Sequence, residues 1–185
     1  MTIFEKKKFE RDKFRKLRDE NSISQREIVE RNVKIYVDSF LKEIKNTEYI
    51  AIYWPLKNEV DIRSLKEKVP LALPRCKDNK ELLFYPWDEN SLSKDFEGIL
   101  SPNNSFSLSH KEINMILVPC LSVDKNLIRL GYGGGYFDKL RIDENWRNVP
   151  CIGVLTSNCV SSVPLTRAEW DIPLSGFITE KEISV

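Results

Sequence analysis

A change in hydrophobic pattern near residue 48 does most to limit what this chain can fold into. Before it, apolar residues recur at helical spacing; after it, they gather in short runs between turns. Residues 4–20 carry Phe4, Phe9, Phe14 and Leu17 among charges, which predicts a first helix. Ile28, Val33, Tyr36, Val37, Phe40, Leu41 and Ile44 predict a second. Ser24-Gln25-Arg26-Glu27 has the form of a capping box and places its start, and Asn46 and Thr47 its end. Beyond lie apolar runs at 49–54 (stopped by Pro55), 70–74, 81–87, 114–119, 149–155 and 176–178, read as strands. Short helices are expected at 62–69, capped by Asp61, and at 136–142. Strands buried on both faces need helices on both faces, so the chain is read as α/β: a mostly parallel sheet flanked by helices, with an N-terminal helical pair. The polar stretch 88–109 is expected to be a surface connection turning at Ser101-Pro102-Asn103-Asn104. No repeat or linker divides residues 1–185, which predicts a single domain.

Charge narrows the function. Twenty-nine Lys and Arg stand against 28 Asp and Glu, a net charge of +1, so no global field draws nucleic acid or an anionic membrane. Any anion site must be local. Cys76, Cys120, Cys151 and Cys159 form no CxxC pair, and His110 is the single histidine, which leaves no ordinary Cys/His zinc set. The cysteines read as reduced core residues of a cytoplasmic protein. The first residues lack the apolar stretch of a signal peptide, and no run approaches a membrane-spanning length.

Four of the seven glycines fall between Gly131 and Gly135, in Arg129-Leu130-Gly131-Tyr132-Gly133-Gly134-Gly135-Tyr136-Phe137-Asp138. The segment follows a predicted strand and precedes a predicted helix, the place where open α/β sheets bind ligands. Glycine lets backbone approach phosphate closely, and a following helix offers free N–H groups. Two common phosphate fingerprints are excluded. A Rossmann G-x-G-x-x-G from Gly131 meets Tyr136 where its last glycine belongs, and no Gly-Lys-Ser/Thr of a Walker loop follows.

The segment resembles the signature of 5-formyltetrahydrofolate cyclo-ligases, R-x-G-x-G-x-G-Y-Y-D, and departs from it only at Phe137. The resemblance extends to the basic first helix, YWPLKNEVD, LALPR and the C-terminal VPLTRAEWDIPLSGFITE. It implies a three-layer fold and an ATP-dependent reaction in which the formyl oxygen of 5-formyltetrahydrofolate attacks the terminal phosphate. The neighbouring folate nitrogen then closes the ring, releasing phosphate, ADP and 5,10-methenyltetrahydrofolate. Positioning and charge stabilisation are what such phosphoryl transfer asks of a protein.

The resemblance also implies roles. Arg129 and Tyr136 would be catalytic. Leu130, Gly131, Tyr132, Gly133, Gly134, Gly135 and Phe137 would join them around ATP. Asp138 and Asp171 would hold Mg²⁺, although Glu169-Trp170-Asp171 stands where the family usually has Glu-His-Asp. Trp54, Glu59, Tyr132, Tyr136 and Gly133 to Gly135 would meet the folate, and Arg75 would meet substrate or phosphate. Lys7, Arg11, Arg15 and Arg18 share one helical face; Arg11 and Arg15 best match the family's pair of ATP contacts, with Lys7 and Lys8 as alternatives. A monomer acting on a small molecule is expected, without nucleic-acid or membrane partner. A non-catalytic nucleotide- or folate-binding protein and a sugar-phosphate isomerase are competing readings. Retention of Arg129, Asp138, Glu59 and Asp171 favours the enzyme over the first, and ATP dependence would separate it from the second.

Overall fold

The structure is a computed structural model and describes all residues except 45–47 and 88–91. A seven-stranded sheet forms its centre, in the order β12-β11-β9-β6-β1-β2-β3. These strands are β1 (Tyr49–Ala51), β2 (Leu71–Cys76), β3 (Leu82–Pro86), β6 (Ile113–Pro119), β9 (Cys151–Val154), β11 (Gly176–Ile178) and β12 (Ile183–Ser184). The four inner pairings are parallel, while β3 and β12 run antiparallel at the two edges. Alternation along the strands sorts the apolar side chains into two layers. Ile50, Leu71, Leu73, Met115, Leu117 and Ile152 face one side, where Val29, Val33 and Val37 of helix α2 (Ile23–Glu43) pack on them. Ala51, Ala72, Ile116, Val118 and Cys151 face the other, against Tyr136 and Leu140 of α3 (Tyr136–Ile142), with Phe14 of α1 (Ile3–Asp19) in the same cluster. The expected three layers and helical pair are therefore present.

Local details differ from expectation for identifiable reasons. Helix α2 is capped by Ser22, whose hydroxyl accepts from Gln25 N while the Gln25 side chain reaches back to Ser22 N. The cap thus lies two residues before Ser24, and Val29, rather than Ile28, lies on the buried face with Val33 and Val37. The expected stop at Asn46 and Thr47 lies outside the described residues. The short helix expected over 62–69 is a 3₁₀ helix limited to Arg63–Glu67, with Asp61 Oδ1 accepting from Arg63 N at 3.0 Å. The polar stretch after 91 is no plain connection. It holds a hairpin of β4 (Leu92–Lys94) and β5 (Leu100–Pro102), so Ser101 and Pro102 are strand residues and the turn lies at Asp95–Gly98. Gly98, with φ +77°, takes the left-handed conformation that this turn requires.

A second, small sheet was not expected. It joins β7 (Ser122–Asp124), β8 (Arg129–Leu130) and β10 (Val160–Ser161). The glycine-rich loop thus leaves β8 rather than β6. The buried Asp124 organises this corner, accepting from Asn126 N and Ile128 N through one oxygen and from Leu165 N through the other. All four cysteines are buried and free. Among the described residues, no helix is long and apolar enough to cross a membrane.

Candidate functional site

The glycine-rich loop lies beyond the carboxyl ends of β1 and β6, roofed by α1. Arg129 anchors it: Nη1 donates to the carbonyl of Pro119, the last residue of β6, at 3.0 Å. Its guanidinium then lies over the Phe137 ring, 5.1 Å from the centroid, and 3.7 Å from Asp138 Oδ1. Gly131 leaves room for this guanidinium, since a Cβ there would stand 2.7 Å from Arg129 Nη2. Gly133 and Gly135 have φ of +104° and +78°, values that only glycine adopts readily. Gly135 so placed turns the chain into α3.

Helix α1 supplies the roof through the basic face seen in the sequence. At 100° per residue, Arg11 and Arg18 lie within about 40° of Lys7 around the helix, whereas Arg15 lies about 80° away. The contacts follow that order. Lys7 is buried and paired with Asp171. Arg11 Nε donates to Gly131 O at 3.0 Å, and Arg18 Nη1 to the Tyr132 hydroxyl at 3.0 Å. Arg15 reaches Tyr132 O only at 3.5 Å and stays largely in solvent. Glu10 fastens the same helix to Thr166 through its N and Oγ1, at 2.9 and 2.8 Å.

Two recesses flank the loop. The larger, a cavity of about 360 Å³, is lined by Tyr53, Trp54, Glu59, Pro74, Tyr132 and Tyr136 among others, with Arg129 and Phe137 at one wall. Its walls are mainly apolar and aromatic. Glu59, Glu97 and Arg129 are the charged exceptions, and Glu59 is the one with an unengaged oxygen. One carboxylate oxygen, Oε2, accepts from Leu56 N at 2.7 Å, and Oε1 is buried with no partner in hydrogen-bond geometry among the described residues, although the Tyr132 hydroxyl lies near enough to act on the carboxylate. Burial raises the Glu59 pKa, and burial beside Glu59 pushes the Tyr132 phenol well above its usual range. The ring of Tyr136 lines the cavity, while its hydroxyl donates to Glu97 Oε1 at 2.6 Å. Cys76 also lines the cavity, but burial and the nearby Asp95 push its thiol up to about 12, so it offers no thiolate.

The smaller recess is a charged crevice lined by Arg129, Phe137, Asp138, Arg141, Cys151, Asp171, Ile172 and Leu174. Asp138, in the first turn of α3, is about a third exposed, and Asp171 is buried, accepting from Lys7 Nζ and from Ala168 N at 2.6 Å. Two carboxylates lining one recess are donors of the kind Mg²⁺ takes, since it uses few protein ligands and keeps its other positions for waters and phosphate oxygens. No cluster of three or more His, Cys, Asp or Glu residues exists among the described residues. Trp170 is exposed, while Asp171 beside it is buried.

The structure brings Arg11, Arg129, Gly131 to Asp138, Trp54, Glu59 and Asp171 into one region. Arg75 is not part of it. Pro74 and Cys76 line the cavity, so the alternation of β2 turns Arg75 to the opposite face, where its guanidinium lies 4.1 Å from the Tyr85 ring centroid. Lys8 is exposed and makes no contact to the loop among those described. Arg141, Arg18 and Glu97 belong to the site but carried no motif. Only Arg18 had a legible signal, its seven-residue spacing from Arg11.

Comparison with known proteins places the chain in a family. The profile of the 5-formyltetrahydrofolate cyclo-ligase family matches residues 3–180. A 5-formyltetrahydrofolate cyclo-ligase of Haemophilus influenzae is 27% identical over 176 residues, covering 89% of this chain and 92% of that protein. The Mycoplasma pneumoniae protein of the same name is 27% identical over 132 residues, covering 71% and 73%. Among solved structures, Aquifex aeolicus 5,10-methenyltetrahydrofolate synthetase superposes with a TM-score of 0.76 at 28% identity, over 96% of this chain and 91% of that one. A 5,10-methenyltetrahydrofolate synthetase from M. pneumoniae gives 0.72 at 23% identity, over 94% and 98%, a likeness of fold. With nearly its whole length matched by the family profile and its signature loop built around Arg129, the chain belongs to the 5-formyltetrahydrofolate cyclo-ligase family.

Proposed function

We propose that the protein converts 5-formyltetrahydrofolate and ATP to 5,10-methenyltetrahydrofolate, ADP and phosphate. The observation that carries this reading is the position of the loop between an aromatic cavity with one unsatisfied carboxylate oxygen and a charged crevice. A flat pterin suits the first recess. Its amino and ring N–H groups would give Glu59 Oε1 the partner it lacks, a charge-assisted bond in a dry site. Trp54 and Tyr132 would wall the ring.

The polyphosphate of ATP would lie along the loop, where Gly133 to Gly135 leave the backbone bare of side chains. Arg129 is fixed at its base by Pro119 O and faces both recesses. It would stabilise the charge that develops as the formyl oxygen takes the terminal phosphoryl group and ADP departs. Arg11, held by Gly131 O, adds a second cation from the roof, with Arg15 at its edge. The carbon of the O-phosphorylated formyl group is then attacked by the neighbouring folate nitrogen, and its C–O bond breaks as the oxygen leaves with the phosphate. Mg²⁺, held by Asp138 and Asp171, would neutralise phosphate charge. Tyr136 would shape the reacting end with its ring, because its hydroxyl is engaged by Glu97.

Four buried free cysteines support a reducing, cytoplasmic setting. The test is direct. Purified protein with 5-formyltetrahydrofolate, Mg²⁺ and ATP should form the methenyl product, followed by its absorbance. No product, or equal product without ATP, would overturn the reading.

A further inference from the structure

We propose that Lys7 is the resident counter-ion of Asp171 when no nucleotide is bound, and that it must release this carboxylate before a divalent cation can share it with Asp138. The cation then enters together with the nucleotide, not ahead of it. This rests on the reading of the crevice as a metal–nucleotide site.

The pair is buried on both sides, with Lys7 8% and Asp171 4% exposed, and it joins residues 164 positions apart. Its two halves differ in freedom. Asp171 is fixed: Ala168 N donates to the same oxygen that Lys7 holds, at 2.6 Å. Arg141 clamps the backbone that follows, with Nη1 donating to Ile172 O and Nη2 to Pro173 O, each at 2.9 Å. Lys7 is an ammonium on a flexible four-carbon stem. One turn further along its helix, Arg11 already touches Gly131 of the loop. A change of Lys7 rotamer therefore carries its charge from Asp171 towards the place proposed for the phosphates.

Charge favours the exchange only when phosphate arrives. Lys7, Arg129 and Arg141 outnumber Asp138 and Asp171 around the crevice, and Arg141 has no anionic partner among the described residues, only carbonyls. A bare dication meets an excess of positive charge and an ammonium on its ligand. Phosphate oxygens reverse both conditions, giving Lys7 a new partner and the dication its missing anions.

Mn²⁺ serves as the probe, with the fraction left free read by electron paramagnetic resonance on the full chain, with and without ADP. The wild type should bind Mn²⁺ weakly alone and much more tightly with ADP. Lys7→Met should bind Mn²⁺ without nucleotide about tenfold more tightly than wild type, because a competing charge within contact distance is gone. Adding Asp171→Asn to Lys7→Met should abolish the gain while removing the unpaired buried charge. If Lys7→Met alone does not fold by circular dichroism, Lys7→Gln, which keeps a donor for Asp171 without the charge, reads the same gain. Wild-type binding of Mn²⁺ as tight without ADP as with it, or no gain on removing the Lys7 charge, would overturn the proposal. Turnover of 5-formyltetrahydrofolate is scored separately. If turnover fails while the Mn²⁺ results hold, the substrate reading is wrong and the exchange stands.

Discussion

The two recesses beside the glycine-rich loop share Arg129 and Phe137, yet they are built from opposite chemistry. The cavity is aromatic and roomy, with one carboxylate left short of a partner. The crevice is narrow and its buried charges are held by other groups of the protein, Lys7 by Asp171 and Arg141 by two carbonyls, with Arg141 Nε alone left without a partner among the described residues. A ready-made cavity with an unsatisfied acceptor can receive a neutral flat ring with little rearrangement. The crevice must exchange internal partners for external ones, so its ligand has to bring compensating charge. Arg129 is where the two meet, and its substitution should affect both at once.

The comparison can be broken most severely there. Arg129→Ala removes the tie to Pro119 and the cation at the phosphoryl group, and turnover should fall by about a thousandfold or more, as for other arginines that stabilise phosphoryl transfer. Single-turnover kinetics would check it. Gly131→Ala acts indirectly: its new Cβ would stand 2.7 Å from Arg129 Nη2 and push the guanidinium aside. A misplacement on that scale should cost about a hundredfold in kcat with the fold intact by circular dichroism.

Glu59→Gln sharpens the contrast instead, since it alters only the cavity. KM for the folate should rise about tenfold, the loss expected when a hydrogen bond to a charged group becomes neutral, with KM for ATP nearly unchanged. Equal changes in both constants would argue against two separate recesses. The smallest effect concerns stability. Burial raises the Glu59 pKa above 4.5, so the native state holds this proton more tightly than the unfolded chain does. Between the two values stability must fall as pH rises, because ionising the buried carboxyl costs desolvation. Urea titrations should show that decline in the wild type and not in Glu59→Gln.

Much of this site was legible before folding. The motif named Arg129, the loop glycines and Asp138, and the helical spacing named the basic face of α1. What spacing could not supply was rank within that face. Arg15 shares it with Lys7 and Arg11, but the angle of the helix on the loop leaves it at the margin and buries Lys7. Strand alternation was equally available in principle, yet Arg75 stayed a candidate until the face lined by Pro74 and Cys76 was known. The small sheet of β7, β8 and β10 escaped because two- and three-residue strands carry no periodicity.

The sequence by itself determined the α/β class, the placing of its main elements and the residues of its signature loop, because these follow from local periodicity and from residues adjacent in the chain. Only the tertiary structure decided the partners: Lys7 with Asp171, Arg18 with Tyr132, Tyr136 with Glu97, and Glu59 with none for its second oxygen. Such pairings join positions far apart in the sequence, and burial selects them by the need of each enclosed charge or hydrogen-bonding group for a nearby counterpart.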